Sequence, residues 1–271
     1  MEDNKCVSFL QWVLPQLNMR WKGFRKVRRQ VCKRIDRRIS ELGLTGIESY
    51  RNYLAEDSKE WIILDQFCRI TISRFYRDRL VFDYVSTEVL PVLINGAVER
   101  NNAPIRVWSA GCASGEEPYT IALLWHNLIR PKFPNLRLEI IATDIDPILI
   151  KRAREACYQQ GCFRDLPLAW QNDAFDRQKD LFFLKQPIKG YVHFLNLDIR
   201  QKAPKGLFHI ILCRNLAFTY FDQKLQPSVL ERFYNKLETG GVLISGTHEK
   251  MPENDIFFAR WVEHMPIFQK V

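Results

Sequence analysis

No run in this 271-residue chain approaches the ~18–20 consecutive apolar residues that cross a bilayer, so no membrane-inserted segment is expected. The N-terminal stretch starts acidic, and Gln11, Pro15 and Gln16 interrupt its apolar residues, which does not fit a secretory leader. The seven cysteines are odd in number and form neither a CxxC pair nor a zinc-ligand spacing. No metal centre is therefore expected, and reduced thiols in a cytoplasm are the simplest reading. The GxGxxG dinucleotide fingerprint is missing, as are internal repeats and low-complexity tracts. What remains is globular in character: 46% hydrophobic and 26% charged, in a chain long enough to bury the core of one large domain or two modest ones.

The net charge of +9 is concentrated in one segment. Between Arg20 and Arg38 lie ten Lys/Arg and one acid, Asp36, which leaves 30 basic and 30 acidic residues elsewhere. Phe24, Val27, Val31, Ile35, Ile39 and Leu42 follow the three-and-four spacing of a buried stripe and predict an amphipathic helix over 20–42. Arg25, Arg29, Lys33 and Arg37 recur every four residues and form a second, cationic stripe. Gly43 is placed to cap this helix, and Thr45-Gly46-Ile47-Glu48 has the form of a capping box opening the next one. Further helical patterns near 60–68 and 75–85 make residues 1–85 an all-helical N-terminal domain, and 86–271 a second domain. After a helix over 89–98 and a loop at 101–104, strands expected at 105–110, 136–143, 192–197, 208–213 and 242–246 alternate with helices beginning near Pro118, Pro147 and Gln223. That alternation implies right-handed crossovers and a mostly parallel sheet covered on both faces. Residues 257–262 and 267–271 suit a final hairpin.

The polar residues gather where such a sheet binds ligands, at the carboxyl ends of its strands. The first strand runs into Ser109-Ala110-Gly111-Cys112-Ala113-Ser114-Gly115-Glu116-Glu117-Pro118, whose small residues let a ligand approach the backbone. Two glutamates at a helix N-terminus repel phosphate and favour a ligand bearing an ammonium group, although an acidic first turn also suits the helix dipole by itself. The second strand ends at Asp144, an acid able to take two ribose hydroxyls. Together these residues point to a nucleoside with a positive amino-acid tail, of which S-adenosylmethionine is an example. Asn196-Leu197-Asp198 and Cys213-Arg214-Asn215 add two more polar strand ends.

The runs RVWSAGCASGEEPYTIALL, IIATDIDPILIKRARE and FHIILCRNLAFTYFD resemble the CheR-type methyltransferases, which use S-adenosylmethionine to esterify glutamates of bacterial chemoreceptors. RRISELGLTGIESYRNYL and ITISRFYRD resemble that family's helical domain and the stretch joining it to the catalytic domain. The resemblance implies a Rossmann-like class I methyltransferase fold, with S-adenosyl-L-methionine as cofactor and S-adenosyl-L-homocysteine as product. It implies that Gly111 lies in the cofactor loop, Glu117 takes the cofactor's ammonium and Asp144 its ribose. Asn196 and Leu197 would border the adenine, and Arg214 and Asn215 would close the pocket floor. Thr71 and Ser73 stand where the family has Asn and Thr and would make polar contacts to the cofactor. Arg77 would face both cofactor and acceptor, with Tyr220 beside the acceptor carboxylate.

Three departures stand out. Four residues, Leu216 to Thr219, separate Asn215 from Tyr220, where three are usual, so Tyr220 is expected to be displaced. The stretch from Gly161 to Gly190 has no glycine between its ends, unlike the glycine-rich loop with which some members grip a receptor tail, so no tail tether is expected. Thr247-His248-Glu249-Lys250 replaces a His-Ser-Glu-Asn run.

A glutamate acceptor is ionised at neutral pH, with an ordinary pKa of about 4.3, and needs a fixed cation rather than a general base. Arg77 is the right type, and His126, His193 and His209 read as packed or surface imidazoles. The Arg25/Arg29/Lys33/Arg37 stripe would steer an acidic helical protein, the expected partner of a cytoplasmic monomer. The same stripe would also suit nucleic-acid phosphates, so a related methyltransferase acting on RNA or a small molecule is one alternative. A cofactor-fold scaffold without catalysis is another.

Overall fold

The computed structural model describes residues 2–99, 103–252 and 256–271, so two of the four residues expected to form the 101–104 loop lie outside it. Two compact units emerge: Met1–Ile72 with Thr219–Gln226, and Ser73–Phe218 with Pro227–Val271.

The first unit is helical, with helices at Asp3–Val13, Trp21–Phe24, Arg28–Glu41, Ile47–Glu56 and Glu60–Phe67. Its core is built from Cys6, Phe9, Leu10, Phe24, Val31, Ile35, Tyr50 and Leu64, among others. The single helix expected over 20–42 is broken: Val27 sits at φ −109°, ψ 0°, between Trp21–Phe24 and Arg28–Glu41. A glycine at position 23 weakens the helix by ~1 kcal/mol, and Arg25 and Arg29 would repel at i,i+4. Arg28 instead donates Nη1 to the Arg25 carbonyl at 2.8 Å and pairs with Asp3. The helix ends as expected at Gly43, where Leu44 N–H reaches the Ile39 carbonyl (3.0 Å) and Gly43 N–H that of Ser40 (3.1 Å). The next helix opens one residue later than the capping box suggested: the Ser49 hydroxyl, not Glu48, accepts the Gly46 N–H (3.1 Å).

Not all ten basic residues face solvent. Arg38 forks onto buried Glu60 (3.0 and 2.8 Å), which also accepts the Tyr50 hydroxyl (2.8 Å). Arg34 Nη1 holds the Phe67 and Arg69 carbonyls, both at 2.8 Å, at the end of the last helix. The stripe residues Arg25, Arg29, Lys33 and Arg37 remain exposed, beside Lys22 and Lys26. Cys6 and Cys32 are joined in a disulfide, correcting the expectation of seven free thiols.

The second unit begins with Phe75-Tyr76-Arg77-Asp78, which is a turn and not the start of the helix expected over 75–85. Tyr76 (φ 58°) and Asp78 (φ 61°) are both left-handed there. Helix follows from Arg79 to Glu99, widened to a π turn over Val85–Val89. Pro91 explains the widening, because it lacks an N–H and crowds the carbonyl four residues back. Within Arg79–Val98 an 18-residue window reaches a mean hydropathy of 1.2, although charged and polar residues interrupt it; half of that window is buried, with Val81, Phe82, Val85, Val89 and Ile94 in the core.

Among the described residues ten strands follow: β1 Ile105–Ala110, β2 Leu138–Asp144, β3 Cys157–Gln159, β4 Phe175–Gln178, β5 Leu181–Leu184, β6 Val192–Asn196, β7 Phe208–Cys213, β8 Leu237–Ser245, β9 Phe258–Arg260 and β10 Ile267–Lys270. Seven form one sheet in the order β6-β2-β1-β7-β8-β10-β9. The first five of these are parallel, and the tail hairpin adds two antiparallel strands at one edge. The chain leaves β1 toward β2 on one side and later returns to β7 on the other, which puts the switch in strand order at the carboxyl end of β1. β7 is buried along its whole length, as a central parallel strand should be.

The stretch between Gly161 and Gly190, for which no strand was expected, carries regular structure. It supplies β4 and β5, which with β3 form a small antiparallel sheet. Lys179, at φ 55°, takes the left-handed turn position that a glycine would ordinarily fill. Phe163, Phe175 and Phe182 pack as one aromatic cluster, and Phe75 stacks on Phe163 at 5.2 Å. Phe75 N–H also donates to the Cys162 carbonyl (2.9 Å), and Arg74 pairs with Asp165. The turn carrying Arg77 is thereby anchored by the insertion.

Candidate functional site

The loop after β1 is shaped by residues in the left-handed region: Gly111 (φ 85°), Ala113 (φ 50°) and Gly115 (φ 94°). At Gly111 a Cβ would stand 2.3 Å from the Leu216 side chain, so both the conformation and the space call for glycine. Gly111 and Cys112 donate their N–H groups to the Thr143 carbonyl (2.8 and 2.9 Å), tying this loop to the end of β2. Asp144 follows directly, with Oδ2 accepting the Ala113 N–H (2.9 Å) and Oδ1 the Asp146 N–H (3.0 Å). The carboxylate is thus aimed by two backbone groups. Asn196 Nδ2 donates to the Asp144 and Ile145 carbonyls (3.0 and 2.9 Å), and Leu197 N–H to the Asp144 carbonyl (3.0 Å), so the end of β6 braces the end of β2.

Glu116 and Glu117 open the helix Glu116–Leu124. Glu117 Oε1 accepts the Ser109 hydroxyl (2.7 Å), and Oε2 accepts Arg214 Nη1 (3.3 Å). Burial pushes the Glu117 carboxyl above the usual carboxylate range, while Arg214, Ser109 and Arg77 oppose the rise. Burial also raises Glu116, whose Oε2 is buried with no hydrogen-bond partner; Ser73, expected to contact the cofactor, hydrogen-bonds Glu116.

Arg214 is held by the site's acids. Its side chain is 3% exposed and clamps three groups of the site. Besides Glu117, its Nη2 donates to Asp78 Oδ2 (2.7 Å) and to the Arg77 carbonyl (2.8 Å), and its guanidinium lies over the Phe82 ring. Tyr76 N–H donates to Thr120 Oγ1 (3.0 Å), and the Tyr76 hydroxyl to Asp83 (3.0 Å). Two left-handed residues flanking Arg77 store strain of order 1–3 kcal/mol each, sustained by these contacts. Asn215 is left-handed as well (φ 55°); its N–H and that of Gly246 both donate to Glu249 Oε2 (2.8 and 2.7 Å).

Ser73, Arg77, Gly111, Glu117, Asp144, Asn196, Leu197, Arg214 and Asn215 therefore share one unit. Thr71 and Tyr220 fall in the helical unit, as do Arg25, Arg29, Lys33 and Arg37. Tyr220 ends the short helix Ala217–Tyr220 and packs its ring 5.0 Å from Phe24, while its carbonyl accepts the Arg20 N–H (2.8 Å). Asp78, Ser109 and Glu249 escaped the sequence reading as parts of the site. Each carried a signal: Ser109 opens the small-residue loop, Asp78 closes the run that resembles the family's linking stretch, and Glu249 is the acid retained in the altered His-Ser-Glu-Asn run. The histidines behave as expected. The His209 ring nitrogen accepts the Arg106 N–H (3.2 Å), and burial lowers His126.

A family model described as CheR methyltransferase, SAM binding domain, matches residues 71–264. The chain belongs to the CheR methyltransferase family. It is 31% identical over 229 residues to a chemotaxis protein methyltransferase of Borreliella burgdorferi, covering 81% of each chain. It is 32% identical over 230 residues to that of Escherichia coli, covering 82% of this chain and 76% of the other. A weaker likeness is to the N-methyltransferase NodS of Bradyrhizobium japonicum in complex with S-adenosyl-l-homocysteine, at a TM-score of 0.32 and 17% identity over 66% and 64% of the two chains. S-adenosylmethionine is the cofactor of the family's domain, and the donor set fits it: carboxylates for an ammonium and a diol, with an unpartnered carboxylate oxygen at the helix N-terminus beside them.

Proposed function

We propose that this enzyme esterifies glutamate side chains of a chemoreceptor-like, acidic helical protein in the cytoplasm. In this reading Glu117 holds the cofactor's ammonium, Asp144 its ribose hydroxyls, and Asn196 and Leu197 border the adenine. Gly111 and Asn215 shape the walls, and Ser73 adds a polar contact. The cofactor, when bound, supplies a methyl group already activated by a sulfonium, so the protein's task is to align and dehydrate. Arg77 receives the acceptor carboxylate, already ionised, and aims it without any proton transfer. Arg25, Arg29, Lys33 and Arg37 attract the acidic helix.

The observation that carries this reading is the turn around Arg77. Two strained residues, a clamped carbonyl and an aromatic anchor hold the backbone at Arg77, which supports Arg77 as a cation for a carboxylate acceptor. The test is to incubate the enzyme with methyl-labelled cofactor and an acidic helical chemoreceptor fragment, then treat the product with mild alkali. Carboxyl esters hydrolyse and release the label. Label that resists alkali, or transfer to purified RNA instead, would overturn the proposal.

A further inference from the structure

The geometry points to Asp78 as a positioning residue for cofactor capture, one that keeps Arg214 from neutralising the carboxylate meant for the ligand's ammonium. The inference rests on the functional reading above.

Glu117 faces an electrostatic difficulty. A carboxylate that is to receive an ammonium already has a guanidinium beside it, with Arg214 Nη1 3.3 Å away. Those two charges alone cancel, and an incoming cation would meet a neutral pair. Asp78 changes the sum. Its Oδ2 lies 2.7 Å from Arg214 Nη2, within the usual range for a charge-assisted bond, whereas the contact to Glu117 is longer than that range. The guanidinium is thus committed chiefly to Asp78; without Asp78 the Glu117–Arg214 pair with Arg77 beside it would be net positive, and with Asp78 the cluster is balanced, its negative end centred on Glu117. Screening does little to blur this division, since the side chains of Arg214, Glu117 and Asp78 are 3%, 15% and 25% exposed.

The surroundings hold the arrangement in place. Arg214 is stacked over Phe82 and bonded to the Arg77 carbonyl, so it cannot swing away from both acids. Asp78 is held left-handed at the end of the Tyr76–Asp78 turn, which directs its carboxylate back to Arg214. Without the Asp78 charge, the guanidinium would close on Glu117 and occupy the oxygen that the ammonium needs.

The experiment compares two ligands in calorimetric titrations of the full chain. S-adenosylhomocysteine carries the ammonium; 5′-methylthioadenosine is the same nucleoside thioether without the amino-acid tail. Asp78→Asn should weaken S-adenosylhomocysteine about tenfold or more, the weight of one charge-assisted contact, and leave methylthioadenosine within about twofold. Asp78→Glu, which keeps the charge, should restore most of the lost affinity. Equal weakening of both ligands by Asp78→Asn, or failure of Asp78→Glu to recover binding, would overturn the inference and leave Asp78 a merely structural residue. Unchanged S-adenosylhomocysteine affinity in Asp78→Asn would overturn it alone, whereas no binding by the wild type would overturn the functional reading and the inference with it.

Discussion

Replacing Glu117 with Gln probes the ammonium site with almost no change of shape. The amide oxygen can still accept Arg214 Nη1 and the amide NH2 can donate to the Ser109 hydroxyl, groups now at 3.3 and 2.7 Å from the carboxylate, so the loop and the helix start should hold. What is lost is the charge. A hydrogen bond to a charged partner contributes about 1.5–3 kcal/mol, which translates to roughly 10–150-fold weaker S-adenosylhomocysteine binding. Two pH trends should weaken with it. Burial raises the Glu117 carboxyl above its unfolded value, so this group favours the folded state at low pH, and that contribution is lost as pH rises through the folded pKa. Ligand capture needs the ionised form and runs the other way, weakening as pH falls through the same value. Calorimetry across pH should show the capture trend in the wild type and not in Glu117→Gln, and melting curves of the free protein should show the stability trend reduced to what the other raised carboxyl, Glu116, contributes. Equal affinity in the two proteins would refute the assignment.

Three other outcomes are expected. Glu249→Ala leaves the Asn215 and Gly246 N–H groups without their shared acceptor, which should cost about 1–3 kcal/mol in denaturant unfolding and lower methyl transfer. Glu60→Ala leaves the Arg38 guanidinium with its longer pair to Glu41 (3.5 Å) and takes the acceptor from the buried Tyr50 hydroxyl, and should cost about 3 kcal/mol in the same assay. Reducing Cys6–Cys32, which spans 26 residues, should lower the melting temperature, since closing such a loop stabilises by about 3 kcal/mol; identical melts of reduced and oxidised protein would show that the bond does not form.

Much of the catalytic unit was legible because parallel strands advertise themselves. β1 and β7 fall where the apolar runs put them, and Asp144 and Glu117 could be singled out because strand ends and helix starts have known chemistry. The failures share a cause: long-range contacts overrode local pattern. Arg214 read as a pocket residue, yet its partners Asp78 and Glu117 lie 136 and 97 residues away in sequence. The turn at Phe75–Asp78 looked helical because its apolar spacing is right, but aromatic packing on Phe163 and the Thr120 contact hold Tyr76 left-handed. The small sheet was passed over because Lys179, not a glycine, makes its hairpin turn. Arg34 and Arg38 were counted among the surface charges, although Glu60 and two carbonyls draw them inward.

A crystal structure with S-adenosylhomocysteine tests the central claim most directly. The ligand's ammonium should lie within hydrogen-bonding distance of Glu117 and its ribose hydroxyls on Asp144, at the carboxyl ends of β1 and β2. A ligand bound elsewhere, or one that leaves both carboxylates untouched, would contradict the account.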